Sequence, residues 1–254
     1  MARARQKIST RHSYHPRMST TPYSKVAALW HPFLVLGGFD RGLRHLIKRL
    51  PYLPPNDAPL KVLDIGCGSA VMSFALLKRF PQAEVLATDM DPIMVREAVK
   101  HRDKLGIKRT QCAFACSDAN YPHMVQYGCT GAYQELPHEA FDLVVAGAVL
   151  EHVDLDRAIQ SVFALLKPGG TFLIIAMREE AFLSKVYERV YHCIPRSIET
   201  HRESLMAAGF QSVLVERTRL SDFSANLTRV AIIARKAPHV ASSEDLAYTV
   251  PIIA

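Results

Sequence analysis

A short glycine run and four acidic positions carry the chemistry of this chain. Asp64-Ile65-Gly66-Cys67-Gly68-Ser69-Ala70 joins an apolar run, Lys61–Ile65, to a segment of helical spacing. Glycines at such a junction let the backbone turn tightly and approach a ligand closely, and the helix behind presents free N–H groups to an anionic group. Many nucleotide-binding proteins use a glycine-rich turn. Two features narrow it here: Asp64 precedes the glycines inside the strand end, and no G-x-G-x-x-G occurs, which disfavours a nicotinamide dehydrogenase.

Asp89, in Ala87-Thr88-Asp89-Met90-Asp91-Pro92, lies about 20 residues past the glycines, where an acid can accept from both hydroxyls of a ribose. Asp91 reads as the cap of the helix that Pro92 opens; the plainer alternative is that both acids only cap. Asp118, in Cys116-Ser117-Asp118-Ala119, can accept from an exocyclic amine such as that of adenine. Glu151-His152 follows the fourth strand. A histidine there has a pKa suited to a general base near neutral pH, and Glu151 is placed to orient it or to meet a substrate. The alternative is that the pair only caps the turn into the next helix.

The elements that must position these residues alternate. Strands are read at Lys61–Ile65, Glu84–Thr88, Gln111–Cys116, Phe141–Ala146 and Thr171–Ala176. Helices are read at Ala70–Phe80, at Pro92–Leu105 and from the cap Asp154 to Leu166, where Pro168-Gly169-Gly170 ends the last. Mostly apolar strands in this alternation predict a parallel sheet with helices on both faces. Gln211–Thr218 and Arg229–Arg235 have no helix-length segment between them and predict an antiparallel hairpin at the sheet edge.

Together these motifs resemble class I S-adenosylmethionine-dependent methyltransferases, over about residues 60–236. The resemblance rests on the 62–70 loop, Asp89, Ser117-Asp118-Ala119, and Phe141-Asp142-Leu143-Val144-Val145 followed by Val149-Leu150-Glu151-His152-Val153 and Leu165-Leu166-Lys167-Pro168-Gly169-Gly170. Within that superfamily the Leu-Glu-His-Val run is similar to ubiquinone-pathway and related small-molecule O-methyltransferases. The resemblance implies a Rossmann-like methyltransferase α/β fold with a mostly parallel seven-stranded sheet. It implies S-adenosyl-L-methionine as cofactor and S-adenosyl-L-homocysteine as product. Asp64 and the backbone of Gly66, Cys67 and Gly68 would wrap the methionine portion. Asp89 would hold ribose, Met90 the adenine face, Asp118 and Ala119 the adenine edge, and the Ala146 carbonyl the amino group. His152 and Glu151 are the catalytic candidates. The chain departs from the pattern at Ala70, which stands for a third glycine, and in the long stretch Asn120–Glu139.

Bulk properties bound the rest. Six of the net +7 charges sit in residues 1–25, which hold no acid, leaving +1 over the other 229. This segment is read as a basic flexible tail, with weak membrane contact or a mitochondrial presequence as alternatives. The near-neutral body argues against nucleic acid as a partner. Residues 26–60 are read as a helical cap segment, 61–236 as the methyltransferase domain and 237–254 as a C-terminal tail. Within the domain, 120–140 is read as a lid or pocket loop and 178–198 as a helical insertion. No apolar run reaches the roughly 18–20 residues that span a bilayer. Five cysteines, an odd number without C-x-x-C, suggest a reducing compartment without disulfides, with Cys112 and Cys116 as buried thiols on one strand face and no metal. Aromatics in two segments (Tyr14, Tyr23, Trp30, Phe33, Phe39; Phe182, Tyr187, Tyr191) favour a small, apolar or aromatic acceptor methylated at oxygen or nitrogen. The expected compartment is the cytoplasm, and a homo-oligomer is compatible with the sequence. The competing functions are a non-catalytic cofactor-binding protein and an RNA or protein methyltransferase.

Overall fold

Apolar strands stack side by side only if both faces of their sheet are covered, and this chain supplies two helical layers to do so. The computed structural model of the protein describes residues 29, 34–50, 53, 58–181, 184–185, 188–189 and 193–238. Tyr14, Tyr23, Trp30, Phe33, Phe182, Tyr187, Tyr191, the basic tail and the C-terminal residues from 239 onward lie outside the described residues. The parallel core consists of β1 (Lys61–Ile65), β2 (Glu84–Asp89), β3 (Cys112–Cys116), β6 (Phe141–Gly147) and β7 (Leu166–Met177). β4 (Met124–Tyr127) and β5 (Gln134–Glu135) run antiparallel on one edge, and β8 (Ser212–Glu216) and β9 (Arg229–Arg235) on the other. The order is β5-β4-β3-β2-β1-β6-β7-β9-β8.

Side chains alternate between the two faces along each strand. One face packs Val62, Val85, Leu143, Val145 and Leu173 under α1 (Phe39–Arg49), α2 (Val71–Arg79) and α3 (Pro92–Lys104). The other packs Leu63, Val144, Phe172 and Ile232 under α4 (Leu155–Leu165) and α5 (Ile198–Ala207). The parallel core, the helices on both faces and the β8–β9 hairpin match the expectation.

Three features differ from the sequence reading. Among the described residues the sheet has nine strands, not seven, because the stretch after Asp118 forms β4 and β5. They pair across loops rather than tight two-residue turns, and four- and two-residue strands leave little periodicity to read. Cys116 is not a thiol: it forms a disulfide with Cys129, 13 residues on, while Cys112 stays free and buried. The antiparallel return of β4 sets Gln126 opposite Cys116, and a turn with left-handed Gly128 and Cys129 carries the second sulfur back over β3. Lastly, β7 begins at Leu166, so Pro168-Gly169-Gly170 forms an irregularity within a strand, where pairing shifts from Phe141↔Leu166 to Leu143↔Thr171.

α1 is fixed to the far end of the chain. Its Gly42 passes so close to the 220–223 turn that a Cβ would fall 2.2 Å from the Asp222 carbonyl oxygen. Arg49 clasps the fully buried Asp222 carboxylate through Nη1 (2.5 Å) and Nη2 (2.6 Å), and its Nε reaches Glu216 at 3.4 Å. Burial by itself would raise the Asp222 pKa; the hydrogen bonds from Arg49 and the Arg219 amide outweigh it and hold the carboxyl below its ordinary value. Removing one partner of a buried pair leaves an uncompensated charge. Arg49→Ala is therefore expected to destabilise the protein by about 3–5 kcal/mol in urea unfolding. In the wild type the contribution is present above the ordinary carboxyl value of 3.8 and is lost as pH falls through the lower folded value. An effect under about 1 kcal/mol would reduce the pair to the level of a surface contact.

Candidate functional site

The loop after β1 turns because three of its residues take left-handed backbone: Gly66 (φ 65°), Gly68 (φ 53°) and Ala70 (φ 62°). At Gly66 there is no room for a side chain, since a Cβ would fall 2.4 Å from Val149 Cγ2. The loops after β1 and β6 therefore touch. Ala70 pays for its geometry with about 1–2 kcal/mol of strain, and Ala148 (φ 55°), in the β6 loop, is strained likewise. Strained backbone of this kind clusters at functional sites.

Two carboxyls lie at the ends of adjacent strands. Asp64, 1 % exposed, accepts a 2.5 Å hydrogen bond from Ser73 Oγ, which ties the end of β1 to the first turn of α2. Desolvation raises its pKa to about 7, against the opposing hydrogen bonds from Ser73. Asp89 Oδ2 accepts from the Gly68 amide at 2.8 Å, and its Oδ1 from the Asp91 amide at 3.0 Å. Desolvation raises Asp89 to about 6, with those two bonds and one from the Met90 backbone opposing. The Cys67 amide donates to the Thr88 carbonyl at 2.8 Å, so loop and β2 are joined twice. Desolvation, with Asp89 and Asp64 adding, pushes the Cys67 thiol well above its ordinary pKa and keeps it neutral. Met90 sits partly buried between the two acids, and Asp91 caps α3 by accepting from the Ile93 amide.

The third acid belongs to a second loop. Asp118 Oδ1 accepts from the backbone and side-chain nitrogens of Asn120, whose own Oδ1 accepts from the Asp154 amide at the cap of α4. Ala119 is buried beside them. Ala146 is fully buried within β6, paired to Ile65 and Ile174, two residues short of the strained Ala148.

Glu151 and His152 lie in a single 3-10 turn, Leu150–His152, just past β6. The two side chains diverge. Glu151 is buried and accepts from the Met177 amide at 2.5 Å; its Oε2 has no hydrogen-bond partner among the described residues. His152 keeps contact with solvent, yet the protein mass around it lowers its pKa, with Glu151 opposing and Arg229 and Arg196 adding. Arg196 donates to the carbonyls of Leu150 and Val153 and so fixes this turn from another part of the chain.

Ser73, Arg196, His201 and Arg229 are the polar residues of this sheet edge that sequence reasoning missed. Ser73 in an apolar helix and Arg229 at the head of an apolar strand were visible as exceptions to their patterns. Arg196 had no signal, because the carbonyls it bonds lie more than 40 residues away; His201, bonded to the Ser197 carbonyl at the cap of its own helix, is distinguished only by its burial. Among the described residues no group of three His, Cys, Asp or Glu is placed to hold a metal, and no helix is long and apolar enough to cross a membrane.

Residues 56–205 match the family model described as a methyltransferase domain. The chain is 30 % identical over 146 residues to a trans-aconitate 2-methyltransferase of Methylobacterium radiotolerans, covering 57 % of this chain and 48 % of that one. It is 30 % identical over 165 residues to a ubiquinone biosynthesis O-methyltransferase of a Methylobacterium species, covering 59 % of each. The matched region thus spans about half the length of these curated relatives. In fold, it is similar to phosphoethanolamine N-methyltransferase 2 of Haemonchus contortus, solved with S-adenosyl-L-methionine. The TM-score is 0.63 and the identity 18 %, over 85 % of this chain and 57 % of that one.

The two raised carboxyls carry a signed expectation. A carboxyl whose folded pKa lies above its ordinary 3.8 contributes stability that is full below that value and is lost as pH rises through about 6 and about 7. The melting temperature of ligand-free protein should therefore fall between about pH 4 and 7, and Asp64→Asn should remove the larger part of that slope. A flat wild-type profile would mean that both acids ionise without cost.

Proposed function

We propose that this chain, which belongs to the methyltransferase-domain family, is an S-adenosyl-L-methionine-dependent methyltransferase acting at an oxygen or nitrogen of a small acceptor with an apolar or aromatic body. The observation that carries the reading is the pair of bonds that Asp89 makes to the Gly68 and Asp91 amides. They hold a carboxylate beside a left-handed glycine loop. A ligand with paired hydroxyls next to a close-fitting chain suits that arrangement.

The residues fit the cofactor. Asp64 and the backbone of Gly66, Cys67 and Gly68 would hold its methionine portion, Asp89 its ribose, Met90 its adenine face, and Asp118 and Ala119 the adenine edge. The Ala146 carbonyl would accept from its amino group. When bound, the cofactor supplies an electrophilic methyl on a sulfonium and departs as S-adenosyl-L-homocysteine. The protein's part is then positioning and exclusion of water. His152 takes the proton of the acceptor's O–H or N–H on a ring nitrogen. Its lowered pKa keeps that ring neutral, and so able to accept, at neutral pH. Glu151 stands behind it as a negative charge that stabilises the imidazolium once formed. The aromatic segments that favour an apolar acceptor support this reading from sequence. The relatives' printed names, for trans-aconitate and for a ubiquinone step, place small molecules among the acceptors of similar proteins.

The first experiment is mass spectrometry of the co-purified ligand, followed by an acceptor screen with isotopically labelled methyl donor. Asp89→Ala should weaken cofactor binding by about tenfold or more in calorimetry, the loss of a charge-assisted hydrogen bond. His152→Ala should bind cofactor normally while kcat/KM falls by about 10²–10⁴-fold. The wild-type rate should rise with pH along a limb whose midpoint lies below the ordinary histidine value of 6.5, and His152→Ala should lack that limb. Unchanged affinity in the first variant removes the ribose assignment; unchanged turnover in the second removes His152 from proton transfer.

A further inference from the structure

Beyond the glycine loop, one buried polar cluster has no internal use. Arg229 opens β9 at the same sheet edge, in register with Met177 at the end of β7. It is only 9 % exposed, yet its Nε and Nη1 have no hydrogen-bond partner and no carboxylate pairs with it among the described residues. Glu151, 3 % exposed, uses Oε1 on the Met177 amide and leaves Oε2 unpartnered. His201, 1 % exposed, engages the Ser197 carbonyl through Nδ1 and leaves Nε2 unpartnered. These groups sense one another. Arg229 and Arg196 act on His152, Glu151, Arg229 and Glu188 act on Cys193, and Glu151 and Arg196 act on His201.

A guanidinium held out of water without a partner is strongly unfavourable, and buried polar groups in folded proteins are almost always satisfied. Arg196 is already engaged by two carbonyls. Arg229 is the cation left to answer. Glu151 is the buried carboxylate of this cluster and Glu188, which also acts on Cys193, is exposed, and neither pairs with Arg229. A carboxylate answers the guanidinium, whereas a phosphate dianion would set more negative charge against Glu151.

We propose that Arg229 receives a carboxylate of the methyl acceptor, through charge-assisted hydrogen bonds from one edge of its guanidinium, Nε with the neighbouring Nη2. The acceptor is thus a small organic acid whose apolar body leads from that anchor toward His152. The unpartnered Glu151 Oε2 faces a donor on the same molecule. The inference rests on the methyltransferase reading above and narrows its substrate class.

The test uses the full chain loaded with S-adenosyl-L-homocysteine. Formate, acetate and benzoate are titrated by calorimetry and thermal shift, against formamide, acetamide and benzamide. Formate is small enough to reach the arginine whatever the acceptor's body. The acids should bind saturably and the amides about tenfold more weakly or worse. Arg229→Met should lose the acid response, keep its affinity for S-adenosyl-L-homocysteine, and raise the melting temperature of the ligand-free protein by removing an unpaired charge. Arg229→Lys should retain a weakened acid response. The proposal is overturned if acids and amides bind alike, if no acid binds, if Arg229→Met binds acids as the wild type does, or if both variants only lower the melting temperature. Failure of the wild type to bind S-adenosyl-L-homocysteine at all would appear before any acid is added, and it would sink the cofactor reading and this inference with it.

Discussion

The hydrogen bond from the Gly68 amide to the Asp89 carboxylate joins the loop after β1 to the end of β2. It can form only because Gly66 and Gly68 take left-handed backbone, which turns the loop amide toward the neighbouring strand. The Cys67–Thr88 backbone bond repeats the junction one residue earlier. Everything else at this edge is placed from it. α2 starts where the loop releases the chain, and Ser73 in its first turn satisfies Asp64. Val149 fits against Gly66, which has no side chain, and so sets the position of the turn that bears Glu151 and His152.

Energetic cost is concentrated at the same place. Ala70 and Ala148, two of the four non-glycine residues in left-handed backbone among the described residues, lie around the carboxyl ends of the parallel strands, with two carboxyls pushed toward neutral pH and a guanidinium whose Nε and Nη1 have no partner there. Away from that edge the polar groups are better satisfied: Asp222 has Arg49, and Arg102 bonds the Cys112 carbonyl and Asp103. Proteins concentrate strain and exposed charge where a ligand will relieve it, and the rest of the fold supports the cost. The apolar core on both sheet faces supplies that support here.

The sheet's edges are handled differently on its two sides. The outer edge of β3 would be bare but for β4, which returns antiparallel, is tied to it by the Cys116–Cys129 disulfide and carries β5 beyond. On the other side β8 closes the sheet with a partly exposed strand, and the β8–β9 connection is secured by Arg49 of α1. Edge strands left bare pair with other chains, and short strands with bound-down connections limit this.

The sequence by itself determined the order of elements in the sheet's parallel core, the glycine loop, the caps at Asp91 and Asp154, and the acids at the strand ends. Periodicity, turn chemistry and capping act over a few residues, so they can be read locally. Only the tertiary structure decided that Cys116 meets Cys129, that Arg49 meets Asp222 across 173 residues, that Arg196 holds the turn of His152, and that Nε and Nη1 of Arg229 are buried without a partner among the described residues. Those outcomes depend on which strand returns beside which and on how much water each side chain loses. Neither quantity exists until the sheet is assembled, because burial and pairing are properties of the whole arrangement and not of any one segment.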